Sequence, residues 1–202
     1  MKKLEIILAG LLGFAILFVV VIIFWYIGIF NQFVADRQIA TTSWSNVETE
    51  YQRRFDLIPN VVAATQGILT QEQAVFGEIA AARTQYAGAP SQSQQQMDAM
   101  SGAGSAIGRL LVVMENYPQL QSNANVKDLV VELEGTQNRI AVAQLNYNTV
   151  VNTYDTEIQL FPGSLVAGFG GFQSKPLFEA TSSASTAPTF QLNASATVPK
   201  IK

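Results

Sequence analysis

Apolar residues run from Ile6 to Phe30 without a charge or a proline, and this stretch of 25 residues is the strongest pattern in the chain. As a helix it measures about 37 Å, against a bilayer hydrocarbon core of about 30 Å. A cleavable signal carries an apolar stretch of only about 7–15 residues before a small-residue cleavage site. Here Trp25, Tyr26 and Phe30 occupy that place. The pattern predicts a permanent transmembrane anchor over residues 1–30, with everything after Asn31 hung from the membrane.

Beyond the anchor the apolar positions take a helical period. Trp44, Val47, Tyr51, Ile58, Val61, Ile68, Val75, Ile79, Ala82 and Tyr86 keep one phase. Met97, Met100, Gly104, Ile107, Leu111 and Met114 follow at steps of three and four, and Val126, Leu133, Ile140, Tyr147, Tyr154 and Phe161 recur every seven. Such seams belong to packed helices. No segment has the alternation of a strand. The prolines divide the pattern into helices of about 31–57, 59–86, 94–117 and 123–161, with Ser93 as an N-cap and Phe161-Pro162-Gly163 as a stop. Continuity of phase through Pro59 favours a bend there, whereas the similar lengths of the pieces favour a turn. The expectation is a tight break at Pro59, with Asp56 capping the second helix. The predicted fold is all-α: a transmembrane helix followed by an up-and-down antiparallel four-helix bundle over residues 31–162.

Polar residues interrupt the seam at Arg37, Arg54, Thr65, Glu72, Gln137 and Gln144. A lone buried carboxylate is costly, so Glu72 is expected to be paired or protonated, sharing a mid-bundle layer with Gln137. The set reads as a structural polar layer that fixes register rather than as a reaction centre. Arg54 is expected to hold the carbonyls ending the first bundle helix, or to pair with Asp56. After the last helix, residues 163–178 form an apolar segment rich in Gly and Phe. Leu165, Phe169 and Phe172 in it are candidates for contact with the bilayer surface or a neighbouring subunit, the alternative being a loop packed on the bundle's own end. Residues 179–202, dominated by Ser, Thr and Ala, read as a disordered tail.

Composition narrows the chemistry. Among 202 residues there is no His and no Cys, which removes thiolate and imidazole metal ligands, disulfides and Ser-His or Cys-His nucleophile pairs. No catalytic residues, cofactor or metal are expected, and the protein is not expected to be an enzyme. The net charge is −3; Lys2, Lys3 and Glu5 give residues 1–30 a charge of +1, leaving −4 on the remainder. Without a basic field, nucleic acid is not an expected partner. Lys2 and Lys3 precede the anchor, and the first basic residue after it, Arg37, stands beside Asp36. The positive-inside rule then favours a cytoplasmic N-terminus and an extracytoplasmic body.

The stretches Asn31-Gln32-Phe33-Val34, Trp44-Ser45 and Arg53-Arg54-Phe55-Asp56-Leu57-Ile58-Pro59-Asn60-Val61-Val62 carry a family likeness. So do Gly67, Glu72, Tyr117-Pro118, Asn138-Arg139-Ile140-Ala141-Val142-Ala143, Tyr147-Asn148, Tyr154 and Phe161-Pro162. Over about residues 1–178 the chain resembles the LemA family of bacterial membrane proteins. The resemblance implies an N-terminal anchor and an up-and-down four-helix bundle, and it implies no reaction. Some relatives are associated with membrane organelles, which implies a scaffold; some have been assigned a cytoplasmic body, opposite to the orientation favoured by charge. Three positions depart from the family: Gln137 and Gln144 stand where Glu and Arg are usual, and Asp155 stands where Asn is usual. The function expected is a single-pass, membrane-anchored scaffold that assembles as a homo-oligomer on the lipid bilayer. The alternative is an adaptor that binds another membrane protein, such as a protease or sensor, through a bundle face.

Overall fold

A computed structural model describes residues 2–65 and 73–179, and among these it is all-helical. Helix α1 spans Lys2–Thr65, α2 Gln73–Gly88, α3 Gln94–Glu115, α4 Pro118–Gln121, α5 Ala124–Gln159 and α6 Gly163–Gly170. The described residues thus hold two short helices, α4 and α6, beyond the long ones expected.

The predicted break at Pro59 is not there. Helix α1, Lys2–Thr65, passes through Pro59, so the apolar N-terminal run and the first body helix are one rod of 64 residues. At 1.5 Å per residue it is about 96 Å long. The physical reason lies in the phase of its buried side chains. Val47, Tyr51, Phe55, Val61 and Thr65 are buried along one face, and a turn at Pro59 would rotate the last two off the core. Pro59 itself is exposed, where its ring displaces no packing. Asp56 is correspondingly no cap: it accepts from Gln52 Nε2 at 2.8 Å, one helical turn back. Residues 66–72 lie outside the described residues.

Helix α5 lies antiparallel to α1. Contacts descend together from Arg53–Glu132 through Trp44–Tyr147 to the cluster of Phe33 with Tyr154 and Ile158. Helices α2 and α3 form a hairpin joined at Ser93, which caps α3 by accepting from Gln96 N at 3.1 Å. Gln92 in this turn is left-handed (φ 59°). The hairpin covers only the distal part of α1, because its turn already meets α1 at Glu48, which accepts from Ser91 and Gln96. Two clusters fill the body. One joins Trp44, Val47, Tyr51 and Phe55 of α1 to Met97, Met100, Ile140 and Tyr147; the other joins Val61, Ile79, Ile107, Leu110, Leu120 and Leu133.

Below Glu48 the space beside α1 and α5 is filled by the chain after α5. Helix α6 packs against both through Val166 and Ala167, and Phe172 just after it joins them on Phe33, Tyr154 and Ile158. Two glycines make this docking close. A Cβ at Gly163 would lie 2.3 Å from the Glu157 carbonyl oxygen, and one at Gly170 would lie 2.6 Å from the Phe172 ring. Gly171 then takes a left-handed φ of 69° that ends α6 and turns the chain upward. Residues 172–179 form a strap without helical structure, running back along the body.

Candidate functional site

A cleft of about 640 Å³ lies between α1, α3 and α5, flanked by strap residues Leu177, Phe178 and Glu179, with Tyr51 and Arg54 buried against it. Arg54 is its centre. Its side chain is carried into the interior by the continuous phase of α1, one residue before the buried Phe55. Arg54 Nη1 donates to Gln137 Oε1 at 2.6 Å, and Nε is buried with no partner. Burial pushes the guanidinium pKa below its ordinary value, and the nearby Tyr51 acts in the opposite direction. Gln144 Nε2 donates to the Tyr51 hydroxyl at 3.2 Å. Burial pushes the Tyr51 phenol up to about 12, and the Arg54 charge and the Gln144 hydrogen bond offset part of that rise. Arg54 therefore neither holds helix-end carbonyls nor pairs with Asp56, as the sequence had suggested.

The remaining expected polar residues separate. Arg37 is exposed near the foot of the body, its guanidinium 5.4 Å from the centre of the Phe172 ring. Glu72 lies outside the described residues, and the layer proposed for it with Gln137 has no described counterpart; Gln137 is taken by Arg54. Of the apolar candidates, Leu165 and Phe169 are exposed, whereas Phe172 is turned inward. Its ring packs edge-on against Phe30 and Phe33 at 5.2 and 5.4 Å, so it is part of the core and not of an outer contact surface.

Sequence reasoning missed the anchoring of the strap. Asn148 clamps Phe178 from both sides, donating to its carbonyl at 2.8 Å and accepting from its amide at 3.0 Å. Tyr147 donates to the Pro176 carbonyl at 3.0 Å. Asp155 accepts from the Lys175 amide at 3.2 Å, and Lys175 Nζ reaches Gln92 Oε1 at 2.6 Å. The Phe178 ring stacks on Trp44 with centroids 5.4 Å apart. Burial raises the Tyr147 phenol to about 12, and the neighbouring Asp155 charge adds to the rise. The signal available was the Tyr147-Asn148 pair itself, whose polar edges need partners. Nothing local indicated that those partners lie about 30 residues downstream.

The cleft places amides and a phenol beside a guanidinium, linking α1 to α5 through the Arg54–Gln137 and Tyr51–Gln144 hydrogen bonds. Asp98, Glu134 and Glu179 stand at its margin. No cluster of three or more His, Cys, Asp or Glu side chains able to hold a metal occurs among the described residues.

Two proteins of Paramagnetospirillum magneticum (strain AMB-1), named magnetosome protein MamQ 2 and magnetosome protein MamQ 1, are each 28% identical over 175 residues. Magnetosome protein MamQ of Magnetospirillum gryphiswaldense is 28% identical over 174 residues. Each match takes in 74% of this chain and 64% of the relative, so the chain spans under two thirds of the length of these proteins. The sequence profile of the LemA family matches residues 43–192, from just before Trp44 in α1 through α5, α6 and the strap and on into residues 180–192, which lie outside the described residues, as does most of the 179–202 stretch expected to be disordered. With that match over most of its length, the chain belongs to the LemA family.

Proposed function

We propose that the protein is a single-pass membrane scaffold: α1 crosses the bilayer through Ile6–Phe30, and the body assembles with further copies at the membrane surface without catalysis. The observation that carries this reading is the continuity of α1. The same helix that is apolar and outward-facing from Ile7 to Phe24 becomes the central staple of the body core from Phe33 to Val61. A rod without a hinge transmits orientation, and fixed orientation suits an architectural part. The outer face of α5 supports assembly: Val131, Val142 and Leu145 are exposed along one side of the helix. The magnetosome names of the relatives fit a protein that works at a membrane. The lysines before the apolar run favour a cytoplasmic N-terminus and an extracytoplasmic body.

Full-length protein purified in mild detergent and sized by light scattering tests the proposal. A particle of several identical chains is the expected result. A single chain with a stoichiometric second membrane protein would replace scaffold by adaptor, a reading the same exposed α5 stripe would serve. A single chain alone would overturn both.

A further inference from the structure

We propose that α6, together with Leu160 and Phe161 before it, is a foot lying in the interface of the same bilayer that α1 crosses. The inference rests on α1 being a membrane span and adds a second point of attachment. Four large apolar side chains on one continuous stretch are open to the outside: Leu160 at 61%, Phe161 at 80%, Leu165 at 54% and Phe169 at 85% exposure. They are not exposed for want of a core. The other side of α6 is fully engaged, with Gly163, Val166 and Ala167 buried in the Phe33–Tyr154–Ile158 cluster. The exposed side is therefore a distinct surface on a docked helix.

Its level along α1 identifies the occupant. The cluster that seats α6 includes Tyr26, Ile29 and Phe30, the last turn of the apolar run. A run of about 37 Å exceeds the hydrocarbon core by about 7 Å, so its final turn lies at headgroup depth, where tyrosine, tryptophan and phenylalanine sit favourably. Charge marks the same boundary on both segments. From Ile158 to Ser174 there is no charged residue, and on α1 none lies between Ile6 and Ala35. Charges resume together just above, at Asp36 and Arg37 on α1, Glu157 on α5 and Lys175 on the strap. Two uncharged segments ending at one height, one continuous with a membrane span, fit a lipid surface better than a protein partner. With no cation on α6 itself, the foot inserts through its apolar side chains and needs no anionic lipid.

The absence of cysteine from the chain makes the test direct. Single variants Phe169→Cys, Val19→Cys in the apolar run and Val112→Cys on exposed α3 are labelled with bimane. Each full-length protein is placed at one copy per nanodisc of phosphatidylcholine. Quenching by shallow doxyl-labelled lipid is compared with quenching by aqueous iodide. Positions 19 and 169 are expected to be quenched several-fold more by lipid than position 112, and iodide is expected to reach 112 alone. Iodide quenching at 169 equal to that at 112, with 19 still lipid-quenched, would overturn the foot and leave the anchor standing. Iodide access at 19 would overturn both. Protection at 169 confined to discs holding two copies would overturn lipid contact in favour of contact between copies.

Discussion

At Arg54 a guanidinium is held beneath the surface with an amide, not a carboxylate, for its partner. An unpaired buried charge is expensive, and replacing it by an apolar group of similar length is often neutral or favourable. Arg54→Met is therefore expected to leave stability unchanged or raised in urea unfolding. Gln137→Ala, which strips Nη1 of its hydrogen bond, is expected to cost about 1–3 kcal/mol. Adding Arg54→Met to Gln137→Ala should recover most of that loss. Tyr51 and Tyr147 give a pH dependence whose sign follows from burial. Both phenols are raised from the ordinary value of 10.0 to about 12, so above pH 10 the unfolded chain loses these protons while the folded chain keeps them. Their contribution is complete below about pH 10 and fades as pH rises toward 12. The melting temperature is expected to fall over that window, and less steeply in Tyr51→Phe and Tyr147→Phe.

Among the elements, α1 and α6 make opposite use of their special residues. Pro59 sits inside α1 yet faces outward, costing a backbone hydrogen bond while serving no turn. Pro59→Ala is accordingly expected to raise the melting temperature, by up to about 3 kcal/mol of stability, with helix content intact. Loss of fold in that variant would mean the proline shapes the rod. Gly163 in α6 is the reverse case: backbone oxygen at 2.3 Å leaves no space for a methyl group, whereas a Cβ at Gly168 meets nothing within 4 Å. Gly163→Ala should cost about 1–3 kcal/mol by forcing α6 off its seat. Gly168→Ala should be neutral or mildly stabilising in the same melting experiment.

For the molecule as a whole, the strap decides how the half of the body next to the apolar run is closed. The α2–α3 hairpin stops at the height of Glu48, and below it Phe178 of the strap stacks on Trp44 and joins Tyr147 of α5 in covering it. Asn148 holds that cover through two hydrogen bonds to one residue. Asn148→Ala is expected to speed hydrogen exchange at the Phe178 amide by at least an order of magnitude, about 1.4 kcal/mol of local opening. Amides of α3 are expected to keep their protection. Uniform loss of protection would instead make the strap part of the global folding unit.

The sequence by itself determined the helical class, the long apolar N-terminal helix, the Ser93 cap and most of the buried seam, including Trp44, Tyr51, Met100, Ile140 and Tyr147. These follow from local period and composition, which a helix expresses directly in which residues it buries. It also carried the answer at Pro59, in the unbroken phase across it, although element lengths argued the other way. A proline removes one hydrogen bond, whereas reversing there would have removed a whole buried face. Only the tertiary structure decided the partner of Arg54, the inward turn of Phe172, the docking of α6 and the clamp on the strap. Each depends on which distant backbone arrives at a given height along α1, and a pattern read along one helix contains no measure of that distance.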